Sequence, residues 1–188
     1  METSRRDQLC DAAITVIARS GLRGLTHRAV DQAAGVPEGS TSYYFRTRLA
    51  LLTAVTERLL AVDLADAPTP RLTTVDLNTV IELASQTIVH WVGIGRERML
   101  ARYEISLEST RQPELRAAFV RAGQPVRALM VQALSELGAP DPRRQGRDFV
   151  AILDGLIYDQ LAGAGGPRSK KDIKHTLREV LTGYMRVR

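Results

Sequence analysis

Hydroxyl, aromatic and cationic side chains are concentrated in residues 26–48, which read THRAVDQAAGVPEGSTSYYFRTR. Three of the nine aromatic residues of the chain are consecutive here, at positions 43–45. Serine, threonine and tyrosine hydroxyls, arginine guanidinium groups and the amides at a helix start all bind phosphate oxygens. Short polar side chains beside them can approach the edges of bases. Together these groups offer the chemistry needed to bind a nucleic acid duplex.

Two short helices joined by a tight turn would position these groups. Thr26 is a suitable N-cap for the first helix, and Gly35 suits the turn that follows it. Pro37 suits the first position of a second helix that extends to about Phe45. This is the pattern of a helix-turn-helix, whose second helix enters the major groove of double-stranded DNA. The candidate DNA-binding residues are Thr26, His27, Arg28, Glu38, Gly39, Ser40, Thr41, Tyr43, Tyr44 and Arg48.

Several of these side chains have two possible roles. His27 can contact a base or a phosphate, and Glu38 can either accept from a cytosine amine or only complement its helix dipole. Of Tyr43 and Tyr44, at least one is expected to pack against the protein rather than contact DNA. Two ordinary short helices inside a helical core remain the alternative interpretation of the whole stretch.

The run T-x-R-x-V-x-x-A-A-G-V-x-x-G-S-x-x-Y-Y-F-x-x-R, after one amphipathic helix, resembles the TetR (tetracycline-repressor-type) regulators. The resemblance implies a homodimer that binds a palindromic operator and is released by a small molecule in the C-terminal domain. It also implies DNA contacts at Thr26, Arg28 and Tyr44. This sequence departs from the family pattern at a few positions. Asp31 replaces the usual alanine, Thr41-Ser42 replaces Leu-Tyr, and Arg48 replaces lysine.

The remainder of the chain shows helical spacing of apolar residues throughout, and no alternation typical of strands. We therefore predict an all-α fold of about nine helices. Residues 1–48 are predicted to form the helix-turn-helix domain, with a connecting helix over 48–65. Residues 49–188 are predicted to form a ligand-sensing and dimerisation domain.

Large apolar residues in the second domain suggest two further sites. The first is a pocket, and for any single residue of it, filling a core is the more ordinary role. The second is a dimer interface, for which the alternative is a helix pair within one chain. An apolar pocket for a largely apolar small-molecule effector would be lined by Trp91, Met99, Tyr103, Phe119, Met130 and Ile157. A dimer interface made by the last two helices would contain Phe149, Leu153, Leu156, Ile173, Leu177, Leu181 and Tyr184.

Composition narrows the remaining functional classes. The net charge of +5 permits an anionic partner without requiring one. A single cysteine excludes an intrachain disulfide. The sequence contains no apolar run long enough to predict a membrane partner, so we expect a cytoplasmic protein. The three histidines are too scattered to suggest a metal site, and we predict no cofactor and no enzyme activity. There are two alternatives to a DNA-binding regulator that responds to a small molecule. One is a DNA-binding regulator controlled by a protein partner, and the other is an all-α interaction protein that binds no DNA.

Overall fold

The computed structural model describes residues 4–66 and 76–186. Within these ranges the chain forms nine α-helices and no strand, which confirms the all-α prediction. The helices are α1 (Arg5–Gly24), α2 (His27–Ala34), α3 (Ser40–Tyr44), α4 (Arg48–Asp66), α5 (Leu77–Val92), α6 (Arg96–Ser109), α7 (Pro113–Glu136), α8 (Pro142–Leu161) and α9 (Lys170–Arg186).

Most helix ends lie where the local sequence predicts them. The Thr26 hydroxyl accepts the Ala29 amide at 3.1 Å at the start of α2. At α8 the Asp141 carboxylate caps a helix whose first residue is proline, and Ser169 caps α9. The apolar spacing that begins at Leu77 also predicts a helix start at Thr74, which lies outside the described residues. Within them, Asp76 caps α5.

The prediction about Pro37 was wrong. Pro37 does not begin α3, because Gly39 adopts a φ of +93° and the helix starts only at Ser40. A positive φ of this size interrupts a helix and favours glycine. A second proline, Pro125, lies inside α7, which is one element from Pro113 to Glu136.

The described residues belong to two compact units. The first comprises the described part of Met1–Asp66 together with Gly95–Gly123, and its core is formed where α1 packs against α2, α4 and α6. The buried Asp63 carboxylate on α4 pairs with Arg98 and Arg102 on α6. Burial raises the pKa of the Cys10 thiol in this core to about 12, so the cysteine is a packing residue here. The core side chains include Leu9, Ile17, Val30, Phe45, Leu52, Val55 and Ile105.

The second unit comprises the described part of Ala67–Ile94 together with Gln124–Arg188, and in it α5 packs against α8 and α9. Glu82 on α5 forms ion pairs with Lys170 and Lys174 on α9, which lower its pKa to about 2. The functional domain boundary expected at residue 48 stays a prediction.

Four of the seven predicted dimer-interface residues are buried inside this second unit. Their side chains have no exposed surface in the single chain, so they form its own core and leave nothing for a partner to contact. The prediction that these four side chains contact a partner was therefore wrong, and they lie in an intrachain core where α5 packs against both helices. The four residues are Phe149, Ile173, Leu177 and Leu181.

Candidate DNA-binding surface

The turn between α2 and α3 is fixed by one glycine and two backbone hydrogen bonds. Gly35 adopts the left-handed conformation, with φ of 66° and ψ of 35°. Its amide donates to Gln32 O, and the Val36 amide donates to Asp31 O at 3.0 Å. This is the usual glycine-terminated helix end, and it turns the chain sharply toward α3.

Asp31 links α2 to α3 through three hydrogen bonds. Its Oδ2 atom accepts the Gly39 amide at 2.8 Å. Its Oδ1 atom accepts both the amide and the hydroxyl of Thr41, at 2.7 and 2.5 Å. Burial would raise the pKa of Asp31, but the hydrogen bonds from Thr41 and Gly39, with His27 nearby, hold the pKa below its usual range. A buried carboxylate therefore stays charged at the centre of the motif.

Thr41 and His27 are directed into the protein rather than toward solvent. Thr41 is fully buried, so the prediction that its side chain contacts DNA was wrong. The Nε2 atom of His27 lies 2.7 Å from Phe45 O, and it must carry the proton because a carbonyl only accepts. This hydrogen bond joins the start of α2 to the end of α3, so His27 helps to hold the motif together.

The outward face of α3 carries Ser42 and Tyr43 instead. Tyr43 is 80% exposed, and its ring meets that of Tyr44 edge to face with centroids 5.1 Å apart. Ser42 was missed by the sequence analysis, although a signal for it was present. Phe45 is the aromatic residue that packs inward, and Thr41 lies one helical turn before it on the same side. That spacing places Ser42, not Thr41, on the exposed face.

The other predicted contact residues differ in their exposure. Thr26, Arg28 and Glu38 are exposed. The Ser40 hydroxyl donates to Pro37 O at 2.6 Å, and Gly39 lies in the exposed turn before α3. Their contacts with DNA stay predictions, and the structure gathers them beside Ser42 and Tyr43 in one short motif.

Helix α1 supports both ends of this motif. The Arg6 guanidinium stacks over the Phe45 ring at 4.8 Å from its centre. The Gln8 side-chain amide donates to Ala34 O at 2.9 Å and so satisfies a carbonyl at the end of α2. Because α1 contacts the end of each short helix, the motif is a rigid part of the first unit.

Arg48 ties the start of α4 to the turn between α1 and α2. Its two terminal nitrogens donate to the carbonyl oxygens of Leu22 and Leu25. On the other side of the same turn, Glu104 accepts the Leu22 amide at 3.4 Å. This turn leads directly into Thr26, so Arg48 helps to place the whole motif. Its predicted contact with phosphate stays a prediction.

We expect Arg48→Ala to lower the free energy of unfolding by about 1 kcal/mol, because two carbonyl oxygens lose a charged donor at an exposed site. Arg48→Lys should restore about half, since one ammonium group does not reproduce the planar fork of guanidinium. Urea unfolding followed by circular dichroism measures both. Arg46→Ala removes the same charge from an exposed position two residues away. Equal losses at positions 46 and 48 would show that the two carbonyl contacts add no stability.

The described residues contain neither a membrane-spanning helix nor a cluster of metal ligands. None of their helices combines the length and apolar character needed to cross a membrane. Within the same ranges, no three His, Cys, Asp or Glu side chains come together in a way that would hold a metal ion.

Comparison with known proteins agrees with this geometry. Residues 9–55 match the family described as bacterial regulatory proteins, tetR family, and residues 75–185 match the tetracyclin repressor-like C-terminal domain. The chain is 30% identical over 195 residues to the HTH-type transcriptional regulator BetI of Escherichia coli O45:K1 (strain S88 / ExPEC), which covers 98% of this chain and 96% of BetI.

Two solved structures are also similar. The multidrug binding protein EbrR complexed with ethidium has a TM-score of 0.74 and 30% identity, over 98% of this chain and 100% of EbrR. A transcriptional regulator from Rhodococcus sp. Rha1 has a TM-score of 0.79 at 19% identity, over 96% of each chain, which shows the shared fold alone.

The chain is all-α, the second helix of its helix-turn-helix, α3, is exposed as a reading (recognition) helix, and its relatives are of this kind. These features define a DNA-binding transcription regulator of the helix-turn-helix class. The chain belongs to the TetR family of bacterial transcriptional regulators.

Proposed function

We propose that this protein is a ligand-responsive repressor that binds a palindromic operator as a homodimer and releases it when a small molecule binds. The observation that carries the proposal is the outward face of α3, where Ser42 and Tyr43 are exposed on a helix held by buried contacts. A rigid, exposed polar face of this kind suits entry into a major groove.

The effector is proposed to be a largely apolar molecule. EbrR, a relative at 30% identity, is described as a multidrug binding protein and has been solved with ethidium. Of the six predicted pocket residues, Met99, Tyr103 and Phe119 belong to the first unit, and the others to the second. Those others are Trp91, Met130 and Ile157. Their role in binding stays a prediction.

The homodimer is proposed to use the outward side of α8 and α9. Three predicted interface residues, Leu153, Leu156 and Tyr184, are only half-buried in the single chain. Gly155 is exposed and precedes Leu156 on α8. Half-buried apolar side chains beside a small residue suit close contact with a second copy. A two-fold symmetric pair would present two reading helices to the two halves of a palindrome.

Binding of the protein to the DNA upstream of its own gene tests the proposal. We expect fluorescence anisotropy to show saturable binding that weakens steeply with salt, because phosphate contacts release counterions. A shuffled duplex of the same length is the control and should bind much more weakly. Failure to bind any duplex at low ionic strength would refute the DNA-binding function itself.

Trp91 is the only tryptophan, so its fluorescence reports on the predicted pocket. Titration of the DNA-free protein with ethidium should quench this fluorescence in a saturable way if an apolar, cationic compound binds near it. Ethidium is not an effector if the fluorescence does not change and if ethidium displaces the protein from the operator duplex no more than its intercalation into DNA explains. The control is free tryptophan at the same concentration.

A further inference from the structure

We propose that Asp31 and Thr41 form a positioning pair that decides which face of α3 meets the operator. The inference rests on the proposed operator binding and adds to it the residues that orient the reading helix. Neither side chain is available to contact DNA, because Asp31 is 2% exposed and Thr41 fully buried. Both residues are therefore assigned an effect on DNA recognition that acts through Ser42 and Tyr43.

Helix α3 needs an external partner to form. It has only five residues, and its N-cap position is Gly39, which makes no side-chain hydrogen bond to the first turn. A helix this short does not persist alone in water, and its first amides need acceptors. Asp31 supplies the missing acceptor from the neighbouring helix, since its carboxylate takes the amides of Gly39 and Thr41.

The hydrogen bond from the Thr41 hydroxyl also restricts the rotation of α3 about its own axis. The Oδ1 atom of Asp31 accepts both the amide and the hydroxyl of Thr41, so the Thr41 side chain must point toward α2. Successive residues in an α-helix are turned by about 100° from one another. Once Thr41 is held inward, Ser42 and Tyr43 are turned outward. The pair thus fixes the rotation of α3 about its own axis.

The two residues are also the two departures from the family pattern that touch each other. TetR-type regulators usually carry alanine at the position of Asp31 and leucine at that of Thr41, which is an apolar combination. Here a hydrogen-bonded contact replaces it. Changing only one partner would bury a carboxylate beside an apolar side chain, or a hydroxyl with no acceptor, and either arrangement is unfavourable. The two positions are therefore expected to depend on each other.

The test uses variants of the full chain, among them the single variants Asp31→Ala and Thr41→Leu, and a duplex recovered from a random pool by selection with the wild-type protein. Asp31→Asn turns a side-chain NH2 donor toward the backbone N–H donor of either Gly39 or Thr41. Thr41→Val removes the hydroxyl while keeping the shape of the side chain. We expect each to weaken binding to the selected duplex at least 10-fold. Thr41→Ser, which keeps the hydroxyl, should bind within about 3-fold of wild type. The double variant D31A/T41L removes the acceptor and the hydroxyl together, and it should bind more tightly than the product of the losses of Asp31→Ala and Thr41→Leu predicts.

Two further readouts separate positioning from simple destabilisation. All affinities are measured where circular dichroism shows each variant fully folded, and each is compared with the affinity for a shuffled duplex. We expect Asp31→Asn to lower affinity for the selected duplex more than affinity for the shuffled one. Asp141→Asn changes an aspartate that caps α8 in the second unit, and it should leave that ratio unchanged.

The outcomes distinguish this inference from the proposed function. If the wild type selects no duplex from the pool, operator binding fails and the positioning role fails with it. If the wild type binds and the single variants bind equally well, only the positioning role is overturned. It is also overturned if D31A/T41L binds as weakly as the product of the losses of Asp31→Ala and Thr41→Leu, because the two positions would then act independently.

Discussion

The Ser42→Glu variant is expected to bind its operator about 100-fold more weakly than the wild type, with little change in stability. Ser42 is exposed on the outward face of α3, so a larger side chain there disturbs no buried contact. A carboxylate at this position would meet the phosphates and acceptor-rich base edges of the duplex. Close like charges of this kind oppose binding by several kcal/mol, and about 2.7 kcal/mol corresponds to 100-fold.

Matched variants separate charge from size and from general effects. Ser42→Gln adds a neutral side chain of the same size, and it should lose far less affinity than Ser42→Glu. Ser135→Glu makes the same change at an exposed position on α7, and it should bind as the wild type does. Fluorescence anisotropy at two salt concentrations measures all three. Wild-type affinity in Ser42→Glu would remove the outward face of α3 from the DNA contact.

The Gly155→Arg variant is expected to be a folded monomer with at least 100-fold lower operator affinity. A Cβ atom added at Gly155 meets no atom within 4 Å beyond its own helix backbone, and the position is exposed in the single chain, so the folded protein can accommodate arginine. Arginine is also a better helix former than glycine, by about 0.5–1 kcal/mol. If a second copy covers this part of α8, the added charge has no room there. Loss of the dimer uncouples the two half-sites, and the gain from binding both at once is lost.

Analytical ultracentrifugation shows whether the mass of Gly155→Arg is half that of the wild type. Gly155→Ala is the control, because it removes the same glycine and adds only a methyl group. It should remain a dimer and bind the operator. A dimeric Gly155→Arg would place the interface elsewhere on the chain, and the proposal for α8 would be wrong. Retained α-helical circular dichroism confirms that any change in mass does not come from unfolding.

Short-range features of the fold were predictable from the sequence. The caps at Thr26, Asp141 and Ser169 each act through an amide only three residues away. Gly35 ends α2 through its own backbone conformation. Such signals lie within a few residues of the structure they determine, so they can be recognised from the sequence alone. The family motif is local in the same sense, since it is contained in residues 26–48.

Predictions failed where one local pattern fits two three-dimensional arrangements. The apolar stripes of α8 and α9 suit a dimer interface and an intrachain core equally well. Which of the two forms depends on α5, which packs against both helices from about 60 to 90 residues earlier in the chain. The apolar stripe on α9 is therefore largely covered by its own chain. Half-buried residues such as Leu156 on α8 remain available for contact with a partner.

By itself, the sequence determined the helical fold, the ends of most helices and the family, because each is written in residue types at short, regular spacings. Only the tertiary structure decided which side of α3 is exposed. That choice depends on Asp31 reaching Thr41 across the turn and on Phe45 packing inward, and it puts Ser42 where Thr41 was expected. The rotation of a five-residue helix is set by the side chains that neighbouring helices bring to it, and these contacts come into being only when the chain has folded.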